Sequence, residues 1–383
     1  MAPESSHPYP LPEEPAPLDA IWALRDFEPV ARDRLHPAAW GYISGGSWDE
    51  VTLRDNTAAW DRHRLLPRVL RDVTTVDPST TLLGRPVALP FGVAPAALHG
   101  LAHAEGECAT ARAAAAAGAL FCLSTAASRS IEEVAAAAPD GRRWFQLYVT
   151  DDRDLSRTLV QRAARSGYDA IVLTVDLPVF GYREADRRLA FKMAAESLAH
   201  FARDEHGQSF EEIIEKAYVP ITWDDVDEIA SWSSLPLVVK GILHPDDAAL
   251  AVEHGAAAVW VSNHGGRQLD RAPAAIDALP AVVEAVGGRA EVYVDGGMRR
   301  GTHVVTGLAL GARAVFAGRP FLWALATAGE PGVARALAIL REETELAMAL
   351  LGARSVAELT PEHVLRRVAS DVPSVTADGP VPR

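Results

Sequence analysis

Only two cysteines, Cys108 and Cys122, occur among the 383 residues. One falls in an alanine-rich helical stretch and the other in an apolar strand-like stretch, so reduced packing thiols are expected rather than a disulfide or a metal site. No metal is expected. No apolar run approaches the roughly 20 residues that a membrane span needs, and the N-terminus lacks a basic start followed by an apolar core. These absences point to a soluble, cytoplasmic protein. Basic clusters are missing too: pairs such as Arg142-Arg143 and Arg187-Arg188 are the most the chain offers, and the net charge is −14. A nucleic-acid surface is thereby excluded, and any anionic substrate has to be held by local arginines rather than by the overall field.

What is present is a globular composition, 49% hydrophobic, long enough for one large α/β barrel or for two ordinary domains. Residues 1–17 are rich in Pro, Ser and Glu and read as a disordered tail, leaving 18–383 as a single domain. Residues 18–75 have helical patterning broken at Gly45-Gly46 and read as a cap preceding the main fold. After that, β-type runs recur at 88–95, 119–124, 144–149, 170–176, 237–242, 258–264, 291–297 and 314–320, each followed by a helical stretch. Strands alternating with helices imply parallel pairing through right-handed crossovers, and eight units are the number that closes a (β/α)8 TIM barrel, here over about 85–330. A doubly wound open sheet is the alternative. One long connection, between Asp176 and Leu237, carries a charged helical patch at 209–216 and reads as a lid or a disordered segment.

In a barrel, the carboxyl ends of all strands face one pocket, and here those ends are polar. They carry Ser124; Gln146 and Tyr148; Thr174 and Asp176; Lys240; Ser262 and His264; Asp295 with Gly296-Gly297; and Gly318-Arg319. Val261-Ser262-Asn263-His264-Gly265-Gly266-Arg267 sets a base beside an anion clamp at the end of the buried run Ala258-Val259-Trp260-Val261. Asp295-Gly296-Gly297-Met298-Arg299 and Ala317-Gly318-Arg319 match the phosphate site that recurs after strands seven and eight, where glycines admit backbone N–H groups and a helix start adds a favourable dipole. Singly, each could be a solvated loop residue, and a lone histidine is more often structural than catalytic. Lys240, costly to bury unpaired, is expected to face an anion.

Together with Trp144-Phe145-Gln146-Leu147-Tyr148, Leu173-Thr174-Val175-Asp176 and Tyr42-Ile43-Ser44-Gly45-Gly46, these motifs resemble the FMN-dependent α-hydroxy acid oxidases and dehydrogenases, over about 27–357. The resemblance implies FMN contacted by Ala94, Pro95, Ala96, Ala97, Ser124, Gln146, Thr174, Lys240 and Ser262, with its phosphate and ribityl chain at Asp295, Gly296, Gly297, Arg299, Gly318 and Arg319. It also implies His264 as the base, Asp176 as the acid that orients it, Arg183 and Arg267 as carboxylate clamps, and Tyr42 and Tyr148 as substrate-binding tyrosines. Both debated routes in the family, hydride transfer and a carbanion, need a base beside the flavin, and imidazole suits that role. Lys240 is implied as the cation that stabilises the reduced ring.

Ser124-Thr125-Ala126-Ala127 resembles the mandelate-oxidising branch, where glycolate oxidase has a bulky aromatic, so Ala126 predicts a pocket enlarged for an aryl or bulky L-2-hydroxy acid. Pro95-Ala96-Ala97-Leu98-His99-Gly100 resembles the lactate-oxidising branch, and Ala97 favours O2 as acceptor, giving H2O2. The alternatives are a dehydrogenase serving a quinone or carrier protein, and a tailoring enzyme acting on a larger hydroxyacyl substrate. Homotetramers are common among relatives, which makes a homo-oligomer the expectation.

Overall fold

The computed structural model describes residues 9–12, 14–191, 198–201 and 219–366. Three short helices, α1 (Phe27–Arg34), α2 (Pro37–Ser44) and α3 (Val51–Ala58), precede the first barrel strand. Eight parallel strands then close into a barrel: β1 (Phe91–Val93), β2 (Leu120–Leu123), β3 (Arg143–Leu147), β4 (Ile171–Thr174), β5 (Leu237–Ile242), β6 (Ala258–Val261), β7 (Glu291–Val294) and β8 (Ala314–Ala317). Successive strands are neighbours, and β8 pairs back onto β1 with Phe316 opposite Gly92. Each expected run contains or overlaps one strand, which decides for the TIM barrel over the open sheet. The runs extend past the strands because their polar ends continue into the loops that build the pocket.

Helices follow the strands in turn: α4 (Gly106–Ala117), α5 (Ile131–Ala137), α6 (Arg153–Arg165), the short α7 (Glu184–Arg188), α8 (Trp223–Ala230), α9 (Pro245–Glu253), α10 (Ala275–Val286), α11 (Gly301–Ala309) and α12 (Arg319–Leu351). Local chemistry sets their ends. At the start of α5, Ser130 Oγ accepts from Glu133 N–H at 3.2 Å and the Glu133 carboxylate accepts from Ser130 N–H at 2.8 Å, a reciprocal cap. The long connection after β4 holds both α7 and α8; at the start of α8 the Asp225 carboxylate accepts from both the N–H and the hydroxyl of Thr222, at 2.6 and 2.8 Å. The charged patch at 209–216 lies outside the described residues.

Strand alternation sorts the barrel into layers. Inward residues Trp144, Trp260, Tyr293 and Phe316 are buried and pack ring on ring, with centroids 4.2 Å apart for Trp260–Phe316 and 5.3 Å for Trp144–Tyr293. A chain only 7% aromatic thus spends four large rings on plugging the lumen. Two residues further along six of the eight strands, β2 to β7, the inward positions turn polar: Ser124 after Cys122, Gln146 after Trp144, Thr174 after Val172, Lys240 after Val238, Ser262 after Trp260 and Asp295 after Tyr293. Two more bring Ala126, Tyr148, Asp176, His264 and Gly297 to the carboxyl-terminal face.

The helices before the barrel close over that face. Trp323 Nε1 donates to Ser44 Oγ at 3.0 Å, and Arg319 Nε donates to the carbonyl of Ile43 at 3.2 Å. Of the 1–17 segment read as a tail, the described residues lie against the fold: Ala16 N–H donates to the Thr327 carbonyl at 2.8 Å, and the Tyr9 ring stacks on His36 at 4.6 Å.

Candidate active site

A cavity opens at the carboxyl ends of the strands. Of the residues singled out in the sequence, Tyr42, Ala94, Pro95, Ala96, Ala97, Ala126, Tyr148, Thr174, Arg183, Lys240, His264, Arg267, Asp295, Gly296, Gly297, Arg299, Gly318 and Arg319 line it. Ser124, Gln146, Asp176 and Ser262 do not line it: Ser124 holds Ala126, Asp176 holds His264 and Ser262 holds Lys240 and Asp295, while Gln146 holds Ser124 and Thr125.

His264 lies three residues past the end of β6, with φ +57. A non-glycine residue there carries about 1–3 kcal/mol of backbone strain and persists only where its surroundings over-determine it. Two contacts fix the ring: Nδ1 meets Asp176 Oδ1 at 2.8 Å, and Nε2 meets the Tyr148 hydroxyl at 3.2 Å. Asp176 can come this close because β5 bulges between Lys240 and Ile242, where Gly241 has φ +111 and a Cβ would stand 2.7 Å from Asp176. Burial, with Lys240 and Arg183 nearby, outweighs Asp176 and holds the His264 imidazole below its ordinary pKa. Burial by itself would raise the Asp176 carboxyl, but His264 and Lys240 together keep it below the usual range. A neutral imidazole with an ionised carboxylate on Nδ1 presents Nε2 as a proton acceptor.

Lys240, in β5, is 4% exposed. Its Nζ donates to Ser262 Oγ at 3.0 Å and lies 3.4 Å from Asp295 Oδ2, while Ser262 Oγ donates to Asp295 Oδ1 at 2.7 Å. Burial pulls the ammonium toward neutrality, yet Asp295 and Asp176 more than offset it, so the pKa is raised and the charge is fixed. Across the barrel, Ser124 Oγ and Thr125 N–H both donate to Gln146 Oε1, at 3.1 and 3.2 Å.

Four guanidiniums line the cavity without a carboxylate in ion-pair contact among the described residues. Burial and mutual repulsion lower Arg183 to about 10, burial lowers Arg299 to about 10, and burial with neighbouring arginines lowers Arg319 to about 9. Arg267 Nη1 donates to the carbonyls of Tyr42 at 2.6 Å and Gly45 at 3.0 Å; Arg183 Nε reaches the Arg267 carbonyl at 3.4 Å. Such an excess of buried positive charge is complementary to more than one anionic group. One expectation for the glycine-rich end is corrected: at the start of α11 the Gly301 N–H is taken by the protein's own Glu343 carboxylate, at 2.7 Å, rather than left for a bound phosphate. The helix start that faces the cavity is that of α12, at Gly318-Arg319.

A family model described as FMN-dependent dehydrogenase matches residues 31–366. The chain belongs to the FMN-dependent dehydrogenase family. An L-lactate oxidase from Nostoc sp. is 46% identical over 351 residues, 88% of this chain and 96% of that protein. The 2-hydroxyacid oxidase 1 of Homo sapiens is 45% identical, covering 88% of this chain and 95% of its own. Among solved structures, a mandelate oxidase with (S)-4-hydroxymandelic acid superposes with a TM-score of 0.85 at 43% identity, over 90% of this chain and 98% of that one.

The cavity fits the family's FMN on chemical grounds. Gln146 Nε2 and Thr174 Oγ1 are buried with no partner among the described residues, a costly state for polar atoms in the layer that also carries Lys240. The arginines and the Gly296-Gly297 and Gly318 backbone match a phosphate. Residues missed in the sequence are the apolar lining Ile43, Leu177, Phe180 and Leu322. Leu177 and Phe180 had a signal: they flank Pro178 between Asp176 and Arg183, a short apolar run at the start of the long connection. Ile43 and Leu322 come from helices whose facing no strand pattern reveals. Among the described residues no helix is long and apolar enough to cross a membrane.

Proposed function

We propose that this protein oxidises an (S)-2-hydroxy acid bearing an aryl or comparably bulky side chain to the 2-oxo acid, with O2 as acceptor and H2O2 as second product. The observation that carries the reading is His264, with Nδ1 on Asp176 and Nε2 on the Tyr148 hydroxyl, in the same cavity as Arg183 and Arg267, which among the described residues have no carboxylate in ion-pair contact. FMN, when bound, supplies what no side chain can, taking up two electrons with the α-hydrogen and passing the electron pair to O2. His264 Nε2 receives the hydroxyl proton, and the Asp176 carboxylate stabilises the imidazolium so formed. Arg183 and Arg267 hold the substrate carboxylate, which fixes the α-carbon relative to His264. Lys240 provides a fixed cation for the cofactor.

Ala126, with only a methyl group facing the cavity beside Tyr148, Leu177 and Phe180, supports the bulky side chain, and the likeness to mandelate oxidase agrees with it. Exposed Trp48, Val179, Tyr182 and Leu269 around the loop that carries Phe180 favour a second reading, in which a larger hydroxyacyl substrate or an electron-accepting partner is met outside the pocket. Anaerobic mixing of the FMN-loaded protein with a panel of 2-hydroxy acids, then admission of air, tests both. Bleaching by mandelate with prompt, peroxide-forming recovery is expected; bleaching without recovery, or by no small acid, supports the second reading instead.

A further inference from the structure

Asn56, on α3, is 2% exposed and lies 207 residues from its partner, Asn263. The two side-chain amides pair head to tail: Asn56 Nδ2 donates to Asn263 Oδ1 at 2.8 Å, and Asn263 Nδ2 donates to Asn56 Oδ1 at 2.7 Å. Asn263 also caps the turn that contains His264, accepting from Gly266 N–H at 3.2 Å, and its Nδ2 reaches the Pro273 carbonyl at 2.9 Å. The same turn is tied on its other side, where His264 N–H donates to Ser262 Oγ at 3.1 Å. Asn56 meets a second loop as well. Its backbone carbonyl lies where a Cβ on Gly297 would stand, 1.8 Å away, and one turn further on Trp60 Nε1 donates to the Gly296 carbonyl at 2.9 Å.

We infer that Asn56 is a positioning residue: through Asn263 it holds the left-handed turn of His264, and through its own backbone it keeps that turn in register with the Gly296-Gly297 loop. The device suits the task. Each amide offers one donor and one acceptor to the other, so the pair is satisfied in a dry interior and carries no charge to disturb Asp176 or Lys240. Its function is to define where the base stands relative to the cofactor, since the turn alone is strained and has no internal reason to stay put. The inference rests on the reading of His264 as the base.

The test uses full-length, FMN-loaded Asn56→Ala and Asn56→Asp; the second keeps the shape and the acceptor but cannot donate to Asn263. The primary readout is the His264 imidazole titration by NMR on nitrogen-labelled histidine, assigned with His264→Gln. The groups facing that ring are Asp176, Tyr148, Lys240 and Arg183, and of these Asp176 is the one that holds its pKa up. If the turn loosens, the ring loses both its Asp176 contact and the burial that outweighs it, so the titration moves away from the wild-type position. A roughly ten- to hundredfold slower anaerobic reduction of the flavin is expected alongside, the scale of loss from a misplaced catalytic group. A shifted titration in either folded variant supports the inference. An unchanged titration in both, with only a lower Tm, makes Asn56 a packing residue and overturns it. A wild-type flavin that no 2-hydroxy acid bleaches sinks the proposed function instead, and the titration still decides the role of Asn56.

Discussion

Asp176 Oδ1 and His264 Nδ1 stand 2.8 Å apart although 88 residues separate them, and the contact exists only because β5 bulges at Gly241 to admit the carboxylate. Replacing Asp176 by Asn keeps the shape but removes the charge that stabilises the imidazolium. The rate of flavin reduction should fall about 10²–10⁴-fold, in the range found when an orienting carboxylate or a general base is lost. Rapid-mixing absorbance at the flavin band measures it, and a loss below threefold, on the order of 0.7 kcal/mol, would mean that Asp176 is only a packing partner.

Removal of the base itself should be at least as severe. His264→Gln is expected to slow reduction by roughly 10³-fold or more while leaving FMN bound, since none of the other cavity residues is a neutral proton acceptor. Undiminished bleaching in this variant would rule out the assigned role.

The pH profile follows from the sign of the His264 shift. His264 must be neutral to accept a proton, and burial holds its pKa below the ordinary 6.5. Activity should therefore rise through a pKa lower than 6.5, be flat across neutral pH, and fall away only as acid protonates the ring. Initial rates of kcat/KM between pH 4.5 and 8 check this, and an acid limb centred above 7 would contradict it (the pH limits are of about one unit's tolerance).

The two clamping arginines should differ. Arg267 also ties down the carbonyls of Tyr42 and Gly45, whereas Arg183 makes one long hydrogen bond, at 3.4 Å, to the Arg267 carbonyl and lies over the Phe180 ring at 4.9 Å. Arg183→Leu should raise KM about 10²-fold for a carboxylate substrate and far less for its amide, with the fold intact. Arg267→Leu should add a loss of Tm. Equal effects on acid and amide would remove Arg183 from the carboxylate site.

Side-chain selection should respond to Ala126, which is buried in the cavity wall. Ala126→Phe is expected to lower kcat/KM for mandelate by roughly 10–200-fold relative to glycolate, the range that steric exclusion from a pocket supplies. A variant that treats both acids as the parent does would move the aryl subsite elsewhere.

Gly297→Ala tests the seam between α3 and the glycine pair. The added methyl would overlap the Asn56 carbonyl, and φ +78 disfavours any side chain. A loss of at least about 2–3 kcal/mol in unfolding free energy is expected, together with weakened FMN binding, as is usual where strain and a backbone clash coincide. Denaturant titration and flavin fluorescence measure the two.

Much of this was legible in the sequence because a barrel strand repeats every second residue. Reading two positions past Trp144, Trp260 and Tyr293 yields Gln146, Ser262 and Asp295, so both the strand count and the polar face follow from one period. The strand ends were drawn too late, since the polar residues that mark the pocket belong to loops. What lay beyond reach depends on placement across the fold. No local pattern tells that Ser262 and Gln146 stand behind the wall, that Glu343 takes the start of α11, or that Leu322 on α12 faces the cavity. A Pro-rich composition likewise says little about whether Tyr9 finds His36 and Phe191 to stack on.

The joints between the early helices and the late loops also say when the pocket can exist. Arg319 reaches the carbonyls of Ile43 and Gly45, 276 and 274 residues back along the chain, and Asn56 waits on Asn263 in the same way. During synthesis the N-terminal wall emerges first, has nothing to close against until the loop after β6 arrives, and is complete only when Arg319 follows β8. Contacts of such long sequence separation form late and slowly. A chain cut short anywhere before Arg319 therefore cannot assemble the cavity, so the capacity to hold flavin doubles as a check that translation ran through the whole barrel.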